Sequence, residues 1–115
     1  MTPPWWDVAA AALVGQYYNW TLVELIHAAR AGFDGVCTNE HHQNAYGFMP
    51  SPNLMGSVLA KATNGSNVAI VQMGATLPTS NPPIRVAEEY AMLDCISDGR
   101  LIAGLLRRRE HRPGR

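Results

Sequence analysis

Charge is scarce in this chain and cancels overall: 16% of the 115 residues are charged, and nine basic side chains face nine acidic ones. The basic charge is also badly distributed, with Arg107, Arg108, Arg109, Arg112 and Arg115 supplying five of the nine. The remainder is acidic, which excludes the broad positive surface of a nucleic-acid-binding domain. Cysteine is nearly missing. Cys37 and Cys95 each lie inside an apolar run, the pattern of buried, reduced thiols in a cytoplasmic protein rather than of a disulfide scaffold. Long apolar runs are missing as well. None approaches the ~20 residues that span a bilayer, and the longest, Val8 to Val14, follows an acidic residue, unlike a secretory leader. The expectation is a cytoplasmic protein with neither a membrane nor a nucleic-acid partner.

What is present is an apolar content of 47%, enough for one domain with a modest core. Residues 1–13 read as an irregular or helical extension: MTPPWW has no periodicity, and Asp7 can cap a helix over the alanines that follow. Thr21-Leu22-Val23-Glu24 has the capping-box form of a fresh helix start. Leu22, Leu25, Ile26 and Ala29 then follow helical spacing to a stop at Gly32, leaving open two helices or one bent helix. A strand from Asp34 to Thr38 leads into the loop Asn39–Asn53, and Ser51-Pro52 is a good N-cap and first-turn pair. Leu54, Met55, Val58, Leu59 and Ala62 are expected to form the buried face of the next helix, ended by Asn64-Gly65. Val68 to Thr76 reads as a buried strand, in which Gly74 marks a bulge or a close backbone approach. After a loop with Asn81 as cap, Val86, Ala87, Tyr90 and Leu93 line a helix that stops at Gly99, and Arg100 to Leu106 is a third strand. The strands recur about every 33 residues, the length of a strand–helix unit in a parallel α/β fold. A closed barrel needs eight such units and about 250 residues. The three here form either a small open sheet or a piece of something larger.

Glu40, His41 and His42 follow the first strand. Polar side chains at the exit of a buried strand are costly unless bonded or used, and parallel α/β proteins bind ligands at the carboxyl ends of strands. Neighbouring His41 and His42 point to opposite sides of an extended chain, so one can face a site while the other supports the loop. An imidazole, titrating near neutral pH, can give a proton and recover it. The plain alternative is two loop histidines bonded to backbone. Glu40 either orients a histidine, acts as a buried anion, or makes a helix-facing ion pair. Adjacent histidines do not chelate one ion easily, so no metal is expected. Met49, Met55 and Met73 are expected to pack, Tyr46 and Phe48 either to stack on a ring or to pack the loop, and Glu88-Glu89 to be solvated or to pair with Arg85.

Several stretches, in register from about Val14 to Gly104, carry a resemblance: Gly32-Phe33-Asp34-Gly35-Val36, Asn39-Glu40-His41-His42, Tyr46-Gly47, Pro50, Leu77-Pro78, Asn81-Pro82, Arg85-Val86-Ala87-Glu88-Glu89, Met92-Leu93-Asp94 and Ser97-Asp98-Gly99-Arg100-Leu101. Together they resemble the luciferase-like flavin-dependent monooxygenases. The resemblance implies that residues 14–106 are part of a (β/α)₈ barrel. It implies binding of FMN or a related deazaflavin in reduced form, and oxidation of a small organic substrate with O₂. It places the family's Glu-His-His motif on Glu40, His41 and His42, with His41 tied to the flavin reaction. It also places the backbone beneath the flavin ring at Met73, Gly74 and Ala75, and a phosphate-binding arginine near Arg107.

The chain departs from the family at both ends. No apolar strand precedes the first helix, and after Gly104 the pattern gives way to LLRRREHRPGR, whose residues 107–115 read as a disordered basic tail. The expectation is an incomplete copy, truncated or frame-shifted, of a flavin monooxygenase. The alternative is a non-catalytic barrel fragment that self-associates or pairs its open edges with another chain.

Overall fold

The computed structural model describes residues 11–42, 47–77 and 82–106. The expected Asp7 and Asn81 caps, most of the 1–13 extension, Tyr46 and the 107–115 tail lie outside them. The first element is a single helix, α1 (Ala11–Arg30), followed by β1 (Gly35–Thr38), α2 (Pro52–Ala62), β2 (Ala69–Thr76), α3 (Ile84–Ser97) and β3 (Leu101–Leu106). The three strands are parallel in the order β1-β2-β3, with Val36 beside Ile70 and Ile70 beside Leu101. This is the expected α/β alternation, three parallel strands linked by helices in the manner of a (β/α)₈ barrel.

The capping-box signal at Thr21 does not start a helix, because α1 runs through it without a break. Such a box is needed only where the first amides lack helical acceptors, and here the preceding turns supply them. Leu22, Leu25, Ile26 and Ala29 face the core as their spacing requires, and Gly32, at φ +93°, reverses the chain beyond the helix.

α2 presents a different face from the one its large apolar residues predict. Pro52, Met55, Gly56, Leu59 and Ala60 are buried, whereas Leu54 and Val58 are 71% and 49% exposed and Ala62 is also exposed. The reason is close approach. A Cβ on Gly56 would overlap the Gln72 amide and stand 3.1 Å from Leu93 Cδ2. The small residues Gly56 and Ala60 let the helix settle onto β2 and α3, turning the branched residues outward. Ser51 holds the N-cap position with Pro52 after it, but its side chain makes no capping bond. On α3, Val86, Tyr90, Leu93 and Ser97 are buried, and Ala87, expected among them, is exposed.

The core lies between the helices and one face of the sheet, built on Val36, Ile70, Met55, Leu59, Ala60 and Leu93. Within it, Thr38 Oγ1 donates to Gln72 Oε1 at 2.6 Å, joining neighbouring strand positions. At the amino end of the sheet, Arg100 acts as a clasp. Its guanidinium donates to Ser97 O (2.7 Å), Ala60 O (2.8 Å), Thr63 Oγ1 (2.9 Å) and Val68 O (3.1 Å), tying the ends of α2 and α3 to the start of β2.

The other face of the sheet is bare. Cys37, Val71 and Ile102 stand side by side in the ladder; Cys37 and Ile102 are exposed, and Cys95 on α3 is exposed as well. Both cysteines therefore depart from the buried state expected of them. The apolar run around Cys37 has cover on one side only, and alternate residues of a strand face opposite ways. Met73, expected to pack, is 61% exposed. Among the described residues, no helix is long and apolar enough to cross a membrane.

Candidate active site at the carboxyl ends of the strands

The ladder places Thr38 beside Gln72, so the residues following each run on at the same end of the sheet. Glu40 bridges the two strands there. Its Oε2 accepts the Thr76 N–H at 3.0 Å, and its Oε1 lies 2.5 Å from His42 Nε2. The Glu40 side chain is 8% exposed and that of His42 is 46% exposed. An ionised Glu40 requires the proton to reside on His42 Nε2, so the carboxylate fixes both the tautomer and the direction of that ring. Two of the roles weighed for Glu40 have a geometric counterpart: a nearly buried carboxylate at the strand end, and a partner that orients a histidine, which is His42. The two residues are two apart in near-extended chain and so share a side.

His41 goes elsewhere. Its N–H donates to Met49 O at 2.9 Å, closing the loop, and its ring packs on Gly47, where a Cβ would stand 2.9 Å from His41 Cγ. His41 Nδ1 is buried and has no hydrogen-bond partner among the described residues. Phe48 packs edge-on against Tyr17, with ring centroids 5.9 Å apart, so it serves the loop. Beside this loop, Tyr18, Leu22, Met49, Pro50, Leu54 and Val58 line an apolar groove of about 300 Å³.

Met73, Gly74 and Ala75 form the irregular part of β2. Gln72 pairs with Ala103 and Ala75 with Leu105, so Met73 and Gly74 together oppose the single residue Gly104. The bulge foreseen at Gly74 is present. Leu106 occupies the space above Gly74, where any Cβ would overlap its side chain. On the opposing strand, a Cβ on Gly104 would overlap Gln72 O and come within 2.9 Å of Met73 O. Gly104 was not among the expected site residues, although the strand-glycine signal that marked Gly74 applies equally to it. Arg107 lies outside the described residues.

Tyr90 was expected only as core. It is buried, and its hydroxyl donates to Gly104 O at 2.8 Å. Burial first raises its pKa above the ordinary tyrosine value; an Ala75 N–H bond to the phenolic oxygen opposes this, and the charges of Glu40 and Glu89 add to it. The expected helix-surface pairing is present too: Arg85 lies 3.0 Å from Glu88 and 3.8 Å from Glu89, and Asn53 Nδ2 donates to Glu89 Oε2 at 2.8 Å.

Parallel strands backed by helices define a barrel-type α/β unit, with an acid, an imidazole and a bulged backbone at the carboxyl ends of its strands. The family model for luciferase-like monooxygenases matches residues 15–109, and the chain belongs to that family. It is 33% identical over 82 residues to the alkanal monooxygenase beta chain of Aliivibrio fischeri, covering 71% of this chain and 24% of that one. It is 34% identical over 87 residues to the oxygenase component of the flavin-dependent trigonelline monooxygenase of Acinetobacter baylyi, covering 75% and 23%. The chain thus spans about a quarter of the length of these relatives. Among solved structures, it is similar to the oxygenating constituent of 3,6-diketocamphane monooxygenase from Pseudomonas putida, a type II Baeyer–Villiger monooxygenase in complex with FMN. The TM-score is 0.73 at 25% identity, over 79% of this chain and 24% of that one.

Proposed function

We propose that the described strand tips form part of the flavin-facing rim of a flavin-dependent monooxygenase that oxidises a small organic substrate with O₂. The observation that carries this reading is His41 Nδ1, buried and without a partner among the described residues, at the end of the sheet that also holds the Met73–Ala75 bulge. A buried polar atom without a partner costs about 1–3 kcal/mol, and a ligand group that bonds to it removes that cost. The residues fit a flavin in their chemistry: His41 would hold or move a proton at Nδ1, and the bulged segment Met73, Gly74 and Ala75, exposed at Met73, would lie against the ring system. Glu40 and His42 hold the rim in shape. When bound, the reduced flavin supplies the two electrons that O₂ accepts. FMN is favoured over a deazaflavin because the solved relative carries FMN. Arg107 remains the candidate for the flavin phosphate. A cytoplasmic setting would keep the exposed Cys37 and Cys95 reduced.

Anaerobic titration of the chain with reduced FMN, followed by the tryptophan fluorescence of the protein, tests this reading. Saturable quenching that weakens in His41→Ala supports it, and no binding at high micromolar flavin rejects it for this chain.

The bare sheet face favours a second reading, a non-catalytic unit that covers this face with another copy or another chain. Ile102, Leu106 and Met73 are all more than half exposed, and an apolar sheet face with open edges invites pairing. Sedimentation velocity across a hundredfold range of concentration distinguishes the two. A flavin-binding monomer removes the second reading.

A further inference from the structure

One side chain meets both strands at the bulge. Tyr90 Oη donates to Gly104 O on β3 at 2.8 Å, and its ring belongs to the same buried cluster as Ala75 of β2. These are the residues at which the β2–β3 register slips by one. A bulge removes regular ladder bonds, and here a hydroxyl from α3 gives the Gly104 carbonyl a donor. The residue after Ala75 is Thr76, whose N–H donates to Glu40 at 3.0 Å. Glu40 in turn meets His42.

We infer that Tyr90 is a positioning residue: its hydroxyl holds β3 at Gly104 opposite the β2 bulge while its ring packs with Ala75, and through Thr76 this pin sets where the Glu40 carboxylate stands on the rim. The inference rests on the proposed flavin reading for its purpose, though the pinning stands on its own contacts. Three features of the geometry agree. Tyr90 as a residue is 7% exposed, so water competes poorly for its bond to Gly104 O. Gly104 lies so close to β2 that only glycine fits, which brings its carbonyl within reach of the hydroxyl. Val86 and Ala75 pack with the ring, so a phenylalanine keeps the apolar contacts and loses only the oxygen. A raised pKa keeps the hydroxyl protonated, and so able to donate, throughout the neutral range.

The test compares wild type, Tyr90→Phe and Val86→Ala. Val86 belongs to the same apolar cluster but makes no bond to the bulge, so its truncation lowers stability without unpinning the strand. Two amide readouts decide the pinning. Hydrogen exchange of Ala75, taken relative to Ile70 in the core, rises about tenfold in Tyr90→Phe, and stays at the wild-type ratio in Val86→Ala. The Thr76 amide proton, which sits on a carboxylate, shifts in Tyr90→Phe and not in Val86→Ala. An unchanged exchange ratio, or an unmoved Thr76 resonance, in Tyr90→Phe overturns the inference. Reduced-FMN titration of the same three proteins supplies the functional arm. The dissociation constant rises several-fold in Tyr90→Phe and is unchanged in Val86→Ala, and equal weakening in both overturns the positioning role. If wild type binds no flavin, the flavin reading falls, and the amide readouts still decide for or against the pin.

Discussion

The two ends of the sheet treat polar groups in opposite ways. At the amino end, one side chain, Arg100, gives its guanidinium protons to four acceptors drawn from α2, α3 and the turn before β2. At the carboxyl end, β2 is bulged, His41 Nδ1 lacks a partner among the described residues, and the carboxylate of Glu40 is shared between a backbone amide and an imidazole. Both ends border the same core, so burial does not explain the difference. The amino-end network holds elements together, whereas on the proposed reading the carboxyl end keeps His41 Nδ1 for a ligand. In barrel enzymes the amino end serves stability and the carboxyl end serves chemistry, and the proposed reading puts the same split in these three strands.

If that division holds, the largest loss of stability comes from the amino end. Arg100→Ala leaves Ala60 O, Val68 O and Ser97 O without their donor, and a cost of about 3 kcal/mol is expected by urea unfolding. A cost below about 1 kcal/mol would mean that water replaces the clasp, and the contrast between the two ends would fail. Next in size is Gly56→Ala on the covered face. Its new methyl meets the Gln72 amide and Leu93. Overpacking costs about 1–3 kcal/mol, offset by up to about 1 kcal/mol of helix propensity, so a net loss of about 1–2 kcal/mol is expected from the same unfolding curves.

How far the sequence reveals this arrangement depends on the kind of signal. Strands were placed within one residue because Gly35–Thr38, Ala69–Thr76 and Leu101–Leu106 are apolar runs bounded by turn residues. The Gly74 bulge was legible because a glycine inside a strand has few other uses. The face of α2 was not, because its apolar pattern is dominated by Leu54 and Val58, whereas the contact is chosen by the absence of bulk at Gly56 and Ala60. Cys37 was misplaced because an apolar run does not say whether both sides of its strand are covered. At the site, Glu40, His41 and His42 were legible as a group, but not that Glu40 takes the histidine two residues on while His41 folds under Gly47. Tyr90 looked like core, and its spacing does place it there; the destination of its hydroxyl depends on a register slip between β2 and β3 that no local pattern announces.

Between the two ends in expected size lies the pH dependence of Tyr90. Its folded pKa is raised, chiefly by burial, with Glu40 at the end of β1 and Glu89 on its own helix adding to the shift and the Ala75 N–H opposing it. In the unfolded chain a tyrosine titrates near pH 10. The stabilisation is therefore fully present below about pH 10 and is lost as pH rises through the higher folded value. Wild type should exceed Tyr90→Phe by about 1 kcal/mol at neutral pH, and the gap should close in alkaline solution. Unfolding the pair side by side cancels the titration of the other tyrosines. A gap that stays constant above pH 10 would place the phenol outside the bonded network.

The smallest effect is expected where the site is most exposed to chemistry. His41→Ala removes an imidazole whose Nδ1 has no partner among the described residues, while its backbone bond to Met49 O survives the change. Lost packing against Gly47 and the relief of an unpaired polar atom act in opposite directions, so unfolding free energy should move by less than about 1 kcal/mol either way. The same substitution should weaken reduced-flavin binding, which no stability measurement reports. A residue that matters to the ligand and hardly at all to the fold is the signature of the carboxyl end, as Arg100 is of the amino end. Should His41→Ala instead cost as much as Arg100→Ala, His41 would be a structural residue of the loop, and the two ends of the sheet would not differ in kind.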